Sequence, residues 1–230
     1  MATPIALLHS VLNKLRRDAK LARFRRRAPG ADARAVFEYY FRNNLFGSPE
    51  SVSGTGSTLR ATRSIRRALP QIIESLGARS VLDIPCGDFN WARAVDWRGA
   101  DYTGADIVPA LVARNRARFE APGRRFVVLD ILADPLPRAD LVLCRDLFIH
   151  FPNARVADAV ANLKRSGSGH LLTTHYFKAR NWDITMGSFR PICLTRPPFH
   201  FPEPLRILRD DDRLEFGGRT LSLWRIADLP

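Results

Sequence analysis

Three aspartates stand at or just after the ends of consecutive apolar stretches: Asp83 in VLDIPCGDFNW, Asp106 in YTGADI and Asp130 in FVVLDI. Each stretch has the length and composition of a buried strand, and the carboxyl ends of parallel strands share one edge of a sheet. Asp106 follows Asp83 by 23 residues, near the spacing of an acid that binds both ribose hydroxyls. Asp130, one strand further, is placed to accept a hydrogen bond from an adenine amino group. The three acids together predict an adenosine site.

The turn after the first of these strands is not built for phosphates. A pyrophosphate site needs glycines, so that backbone N–H groups can approach it. Pro85 and Phe89 stand where such glycines are expected, and Asp88 would repel a phosphate. The turn therefore favours a cofactor with a ribose, an adenine and a cationic, phosphate-free tail. S-adenosylmethionine is such a cofactor, and a nicotinamide dinucleotide is disfavoured.

Short apolar strands alternate with helices along most of the chain. The strands are predicted at 80–84, 101–105, 125–129, 140–144 and 169–174, and the helices at about 34–45, 58–76, 88–95, 108–119 and 153–165. This alternation is typical of a parallel sheet covered on both faces. Segments 205–210 and 219–226 form a terminal antiparallel pair. We therefore predict an α/β, Rossmann-like three-layer sandwich with a mostly parallel sheet of about seven strands and an antiparallel C-terminal strand.

Composition is that of a globular protein. The chain has 230 residues, of which 46% are hydrophobic, and no apolar run approaches the roughly 18–20 residues of a membrane-spanning helix. Three cysteines, Cys86, Cys144 and Cys193, lie far apart in the sequence. They form no metal-binding or disulfide pattern, so no metal is predicted and a reducing cytoplasm is the expected location.

The net charge of +13 is concentrated at the N-terminus, where residues 1–27 hold eight Lys and Arg against Asp18 alone. Apolar residues recur there at helical spacing: Ile5, Leu8, Leu12, Leu15 and Ala19. We predict a basic arm, 1–33, followed by one domain, 34–230, whose residues 34–76 form a helical cap. The arm is suited to an anionic membrane surface or an acidic partner, which would make the protein membrane-peripheral. An organelle-targeting peptide at 1–27 stays open.

The motifs resemble those of one known family. VLDIPCGDFNW is similar to the first motif of class I S-adenosylmethionine-dependent methyltransferases, and YTGADI and FVVLDI are similar to the second and third. ADLVLCRDLFIHFP, 139–152, is similar to the fourth. The resemblance extends from about Ser53 to the C-terminus. It departs from the family pattern at Pro85 and Phe89, which replace the usual glycines.

The resemblance implies S-adenosyl-L-methionine as cofactor and assigns residues to its parts. Asp83, Pro85, Cys86 and Gly87 would lie near the methionine portion, Asp106 and Ile107 at the ribose, Asp130 and Ile131 at the adenine, and Arg145 beside the cofactor. The SGTGSTLRAT segment, 53–62, precedes the first strand by one helix. Ser57 or Arg60 in this segment could bind the cofactor carboxylate, although Ser57 could equally serve as a helix cap.

Catalytic candidates follow the fourth strand. Asp146 and His150 are four residues apart in CRDLFIHF, so on one helical face they could act as a base and its orienting carboxylate. A packing role for His150 is the alternative. The predicted loop after the fifth strand offers a substrate wall with His175, Tyr176, Asn181 and Asp183, and a solvated loop is the alternative.

These features predict O-methylation of a small molecule or glycan. An RNA methyltransferase is the alternative within the enzymes, since the chain is basic. However, the charge is concentrated in the arm, and CRDLF replaces the Asn-Pro-Pro-aromatic motif common among amino-methylating enzymes, so nucleic acid is the less favoured partner. A non-catalytic cofactor-binding or membrane-associated module is the alternative outside the enzymes.

Overall fold

The computed structural model describes residues 19–210 and 218–230. Its helices are α1 (19–27), α2 (Ala33–Arg42), α3 (Arg63–Leu76), α4 (Pro109–Phe119) and α5 (Asn153–Arg165). Its strands are β1 (Ser80–Asp83), β2 (Asp101–Asp106), β3 (Arg124–Val128), β4 (Leu141–Cys144), β5 (His170–Tyr176), β6 (Arg206–Arg209) and β7 (Arg219–Arg225). Short 3₁₀ turns occur at Thr55–Ser57, Ala92–Ala94, Phe148–His150 and Ile226–Asp228.

The strands form one seven-stranded sheet in the order β3-β2-β1-β4-β5-β7-β6. The first five strands of the chain are parallel, and β7 pairs antiparallel with both β5 and β6. The strand order reverses between β1 and β4, which is where open α/β sheets bind their ligands. The predicted fold class is confirmed, including the antiparallel C-terminal strand.

The two faces of the sheet are covered by different helices. Val81 of β1 packs into a core shared with α3 and α4, which supply Leu69, Ile73 and Val112. Leu82, its neighbour in the same strand, belongs to the opposite core, shared with α5. This alternation follows from the pleat, which directs successive side chains to opposite faces. Because both faces are buried, β4 is apolar at every position, and β1 has apolar residues at its two central positions.

The N-terminal helices pack on each other beside the sheet. Leu21 of α1 is buried with Val36, Tyr40 and Leu45 in a separate small cluster. The carboxylate of Asp32 caps α2 by accepting a hydrogen bond of 2.8 Å from the backbone N–H of Ala35. Most of the apolar residues predicted for the arm, from Ile5 to Leu15, lie outside the described residues.

Two sequence predictions of local structure were wrong. The helix expected at 88–95 is a turn followed by the 3₁₀ turn Ala92–Ala94. Gly87 and Phe89 have φ of 55° and 56°, which an α-helix excludes, and the Phe89 ring is buried against Tyr102, Phe119 and Phe126. The fifth strand continues through Tyr176, so His175 and Tyr176 belong to β5 and not to the following loop.

Two negative findings apply to residues 19–210 and 218–230. None of the helices there combines the length and the apolar character needed to span a bilayer. Across the same residues, no group of three or more His, Cys, Asp or Glu side chains could hold a metal ion.

Asp83 is a buried acid at the carboxyl end of the interior strand β1. Its side chain is 2% exposed, and it accepts a hydrogen bond of 2.5 Å from the Tyr102 hydroxyl of the neighbouring strand. Burial raises the pKa of this carboxyl to about 7, although the Tyr102 hydroxyl opposes the shift. The folded protein therefore holds the Asp83 proton more tightly than the unfolded chain does.

This raised pKa predicts a pH-dependent stability. The contribution of protonated Asp83 is fully present below about pH 4 and is lost as the pH rises through about 7. Asp83→Asn stays neutral, so its free energy of unfolding relative to wild type should increase from pH 4 to pH 8, by up to about 4 kcal/mol. Urea unfolding at several pH values measures this difference.

Asp140 provides a control of opposite sign. It accepts hydrogen bonds from the backbone N–H groups of Arg79 and Ser80, at 2.9 and 3.0 Å, and the Arg79 bond is the largest cause of its lowered pKa. Asp140→Asn should therefore lose stability relative to wild type as the pH rises toward the unfolded-state pKa of about 4, and the difference should stay constant at higher pH. A constant difference between wild type and Asp83→Asn across the range would contradict the burial argument.

Candidate functional site

A cavity of about 290 Å³ opens at the carboxyl ends of the parallel strands. Sites for small ligands typically have volumes of roughly 300–1,000 Å³. The turn after β1, the end of β2 and the segment after β4 form its floor, so it lies at the reversal in strand order. Its walls come from α2, from the loop at 46–57, from Phe189 and from Arg219 at the start of β7.

Asp106 lies at the end of β2 and lines the cavity. Its carboxylate accepts hydrogen bonds from the backbone N–H groups of Gly87, at 3.2 Å, and Val108, at 3.0 Å. The side chain is 5% exposed, and burial raises its pKa to about 6 against the lowering effect of these N–H donors. The acid at the end of β2 is thus connected to the turn after β1 by the hydrogen bond from Gly87.

The turn after β1 is covered by the loop at 48–59, which is fastened to Asp88. The Asp88 carboxylate accepts hydrogen bonds of 2.9 Å from the Ser51 hydroxyl and from the backbone N–H of Val52. A Cβ atom at Gly87 would lie 2.1 Å from the Ser53 hydroxyl oxygen, so only glycine allows this close approach. Asp88 therefore holds a loop against the turn.

Two arginines and two aspartates form a charged network beside the cavity. Arg145 donates to both carboxylate oxygens of Asp210, with distances of 3.0–3.1 Å, and Arg219 Nε lies 2.9 Å from Asp210 Oδ2. Asp146 Oδ2 lies 3.3 Å from Arg145 Nη1 and also accepts from Arg219. The network joins the segment after β4 to β7.

Asp146 is held in an unusual conformation within this network. Its φ of 61° lies in the left-handed region, and its backbone N–H donates to the Thr174 hydroxyl at 2.8 Å. Burial acts to raise the pKa of Asp146, but Arg219 and Arg145 outweigh it, and the pKa lies below its usual range. Asp146 is therefore an ionised anchor for two arginines and a weak base.

His150 lines the cavity four residues beyond Asp146, at the end of a 3₁₀ turn and not on an α-helix. Its Nδ1 atom lies 2.8 Å from the backbone oxygen of Ser188. Because a carbonyl oxygen can only accept, Nδ1 carries the proton, and in the neutral ring Nε2 is the basic atom. The His150 ring also contacts Phe46 and Phe189, at centroid distances of 5.5 and 6.2 Å.

The structure brings together nine of the residues predicted for the site. All nine line the cavity: Ser57, Pro85, Cys86, Gly87, Asp106, Ile107, Arg145, Asp146 and His150. Ser57 lies in a 3₁₀ turn, and α3 begins at Arg63 after Thr62, so Ser57 does not cap that helix.

Other residues predicted to bind the cofactor lie outside the cavity lining. Arg60 is exposed, and Asp83 is buried against Tyr102. Asp130 accepts a hydrogen bond of 2.8 Å from the backbone N–H of Leu132 in its own turn, and Ile131 is buried in the core. Of the three strand-end acids, only Asp106 lines the cavity.

The four residues of the expected substrate wall also lie outside the lining. His175 and Tyr176 are buried in β5, and burial lowers the pKa of His175 to about 4. The Asn181 side chain fastens its loop through the backbone of Cys193 and Pro197. Asp183 accepts from the backbone N–H of Asn153, at the start of α5. All four side chains thus serve the packing or the hydrogen bonding of the fold.

The cavity also contains residues that the sequence did not assign to it. Arg219 comes from the C-terminal strand, and Trp91 lies under the guanidinium of Arg145 at 5.5 Å. Four phenylalanines also belong to the lining: Phe37, Phe41, Phe46 and Phe189. Of these residues, only the aromatic ones of α2 gave a signal in the sequence. Phe46, Phe189 and Arg219 reach the cavity through tertiary packing, which no local pattern shows.

Sequence comparison places a known domain over the centre of the chain. Residues 81–167 match the family model described as "Methyltransferase domain". The chain is 33% identical over 108 residues to the ubiquinone biosynthesis O-methyltransferase of Alkalilimnicola ehrlichii, covering 44% of this chain and 43% of that protein. It is 28% identical over 112 residues to the protein of the same name from Nitrosomonas europaea, covering 46% of this chain and 48% of that protein. The chain thus spans about half the length of the curated relatives it matches.

Solved structures share the fold. The magnesium protoporphyrin IX methyltransferase of Synechocystis, solved with bound SAM, superposes with a TM-score of 0.54 at 15% identity, covering 85% of this chain and 98% of that one. The N-methyltransferase NodS of Bradyrhizobium japonicum superposes with a TM-score of 0.52 at 15% identity, covering 72% of this chain and 96% of that one. Residues 81–167 therefore match a methyltransferase domain, and the chain shares the fold of the class I S-adenosylmethionine-dependent methyltransferases.

Proposed function

We propose that the protein binds S-adenosyl-L-methionine in the cavity and transfers its methyl group to a hydroxyl oxygen of a small molecule. The observation that carries this proposal is the position of Asp106, a buried carboxylate at the end of β2 that lines the cavity beside Gly87. The relatives named O-methyltransferases support an oxygen acceptor.

The residues present fit this cofactor. Asp106 is placed to accept hydrogen bonds from ribose hydroxyls, and Ile107, Val108 and Leu111 provide an apolar wall next to it. The cavity lining holds three carboxylates, from Asp88, Asp106 and Asp146. Its two arginines, Arg145 and Arg219, are already paired with Asp146 and Asp210, so the remaining charge favours a cationic sulfonium. A diphosphate would meet the same carboxylates, so the electrostatics disfavour a nicotinamide dinucleotide.

His150 is the proposed general base, and Asp146 is the proposed anchor of the segment that carries it. The lowered pKa of Asp146 and its two arginine partners make it a weak proton acceptor. His150 keeps a proton on Nδ1 through Ser188, which directs its basicity to Nε2. In this proposal Asp146, paired with two arginines, holds its segment in place, and His150, whose basic nitrogen is Nε2, accepts the proton.

The bound cofactor supplies an activated methyl carbon. During transfer the carbon–sulfur bond breaks with its electron pair going to sulfur, the carbon–oxygen bond forms, and the hydroxyl proton goes to His150. The remaining work of this chain is to hold the acceptor in line with the methyl group and to exclude water, which raises the rate by fixing the geometry of attack.

The two other functions find less support. An RNA acceptor would need cationic side chains around the cavity, but Arg145 and Arg219, which line it, are both paired with carboxylates. A non-catalytic cofactor-binding module would not need a histidine with a defined tautomer in the lining. Methyl transfer to a small molecule accounts for both features.

Replacement of Asp106 tests cofactor binding. Asp106→Ala removes the carboxylate proposed to bind the ribose hydroxyls and should weaken S-adenosylmethionine binding at least about tenfold, because hydrogen bonds to a charged group contribute roughly 1.5–3 kcal/mol. Isothermal calorimetry measures the affinity. Asp101, which is exposed at the opposite end of the same strand, gives the control Asp101→Asn. Unchanged affinity in Asp106→Ala would remove the ribose assignment.

Replacement of His150 tests the base. His150→Gln retains a side-chain N–H donor for Ser188 but no basic nitrogen. Its turnover should fall by about 100-fold or more, and its rate should lose the rise with pH that a titrating base gives, with cofactor affinity unchanged. His170→Gln is the control, since His170 lies outside the cavity lining. Wild-type turnover in His150→Gln would exclude the residue as the base.

We also propose that the basic arm contacts an anionic lipid surface. In α1 the side chains of Lys20, Arg23, Arg26 and Arg27 are exposed, and 19–27 contains no acidic residue. Each basic residue near an anionic bilayer contributes about 1 kcal/mol of binding free energy. The buried Leu21 fixes α1 to the body, so charge reversal on its exposed side leaves the packing intact.

Vesicle binding tests the arm. Arg23→Glu with Arg26→Glu should weaken binding to phosphatidylglycerol vesicles at least about tenfold, measured by co-sedimentation. Arg63→Glu with Arg118→Glu makes the same charge change on exposed positions of α3 and α4 and should have a smaller effect. Equal binding by both double variants, or wild-type binding to RNA and not to vesicles, would contradict the proposal.

A further inference from the structure

Four phenylalanine side chains are among those that line the cavity. Phe37 and Phe41 are four residues apart on α2, so one helical face presents both, while Phe46 follows that helix and Phe189 comes from the connection between β5 and β6. None of these four side chains has a hydrogen-bonding atom. These four phenyl rings form the aromatic wall of the cavity, while the loop at 52–57 lines it with mostly small and polar residues.

Phe46 and Phe189 both contact His150, the proposed base. Their ring centroids lie 5.5 and 6.2 Å from that of the imidazole, with interplanar angles of 51° and 57°. A hydroxyl group that gives its proton to His150 would therefore belong to a molecule whose body lies among phenyl rings. The chemistry of those rings decides which acceptors fit.

This aromatic wall is fixed in place by the N-terminal helices. The Tyr40 hydroxyl donates to the backbone oxygen of Gly187 at 2.5 Å, and Arg25 of α1 donates to the Ser188 hydroxyl at 3.0 Å. The backbone N–H groups of Gly187 and Arg190 donate to the oxygens of His150 and Ile149, at 2.8 and 3.0 Å. The segment that carries Phe189 is thus held from both sides, so the shape of the wall is defined before an acceptor binds.

A saccharide does not suit such a wall. Burying sugar hydroxyls against phenylalanine would leave them without partners, and each unsatisfied polar group costs roughly 1–3 kcal/mol. A flat aromatic ring instead gains edge-to-face or offset-stacked contacts, which contribute about 0.5–1.5 kcal/mol per pair beyond the burial of area. A phenolic hydroxyl also has a pKa of about 10, as in tyrosine, so a histidine can assist its deprotonation.

We infer that the methyl acceptor is a planar aromatic compound, with its ring between Phe46 and Phe189 and its phenolic hydroxyl toward His150. This inference rests on the proposed methyl transfer and selects aromatic acceptors over glycans. The phenol oxygen forms the new bond to the methyl carbon, its proton goes to His150, and the carbon–sulfur bond electrons stay on sulfur. Phe46 and Phe189 then determine specificity and do not take part in the chemistry.

The test uses two acceptors of different chemistry, 2-naphthol and methyl β-glucoside, with a labelled methyl donor. The wild-type protein should methylate 2-naphthol and leave the glucoside unchanged. Binding of 2-naphthol is followed by its fluorescence in the presence of S-adenosylhomocysteine. Phe189→Ala and Phe46→Leu should each weaken this binding by about tenfold and raise KM for 2-naphthol, while calorimetric affinity for S-adenosylmethionine stays within about twofold.

Trp182→Ala is the matched control for Phe189→Ala. Both aromatic side chains are exposed on the same connection, by 48% and 39%, but only Phe189 lines the cavity. Trp182→Ala should bind 2-naphthol as the wild type does. Phe46→Leu keeps an apolar side chain, so a fall in affinity reports the ring and not a loss of folding.

The outcomes separate this inference from the proposed function. Methylation of the glucoside alone, or unchanged 2-naphthol affinity in both phenylalanine variants, would overturn the aromatic acceptor while methyl transfer stands. Failure of the wild-type protein to bind S-adenosylmethionine would overturn the proposed function, and the acceptor inference with it.

Discussion

The site depends on the pairing of buried charges where the parallel half of the sheet meets its antiparallel half. Arg145 follows β4, Arg219 begins β7, and Asp210 follows β6, so the network connects the end of β4 to a pair of strands at least about 60 residues later in the sequence. A charge buried without a partner costs several kcal/mol, so each member is needed by the others. Removing Asp210 would leave two arginines short of a carboxylate and release the end of β7.

This pairing also determines which groups remain for chemistry. Asp146 is engaged with both arginines, so its negative charge serves to hold the segment after β4. Arg145 further donates to the backbone oxygen of Gly56 at 2.9 Å, which fixes the loop that covers the turn after β1. The network thereby links the loop over the turn after β1 to the segment that carries His150. These ion pairs occupy Asp146 and leave His150 as the proposed base.

The sequence predicts most strands and helices correctly because these elements depend on local patterns of apolar and polar residues. Buried parallel strands are short and apolar, and the acid at the end of β2 follows directly from that pattern. The 88–95 helix was wrong because the positive φ of Phe89 depends on its burial among Tyr102, Phe119 and Phe126, which no local pattern records. Similarly, Arg219 and Phe189 reach the cavity only after the sheet and the long connection have folded. His175 and Asn181 show the converse, because the sequence suggested both for a substrate site while the fold uses their side chains for its own hydrogen bonds.

The most direct measurement is a crystal structure of the protein with S-adenosylhomocysteine. We expect the adenosyl group in the cavity between β1 and β4, with both ribose hydroxyls within hydrogen-bonding distance of the Asp106 carboxylate and the homocysteine sulfur on the side of His150. A product molecule bound elsewhere, or an Asp106 carboxylate that still contacts only Gly87 and Val108 while the cavity is filled by other groups, would contradict it.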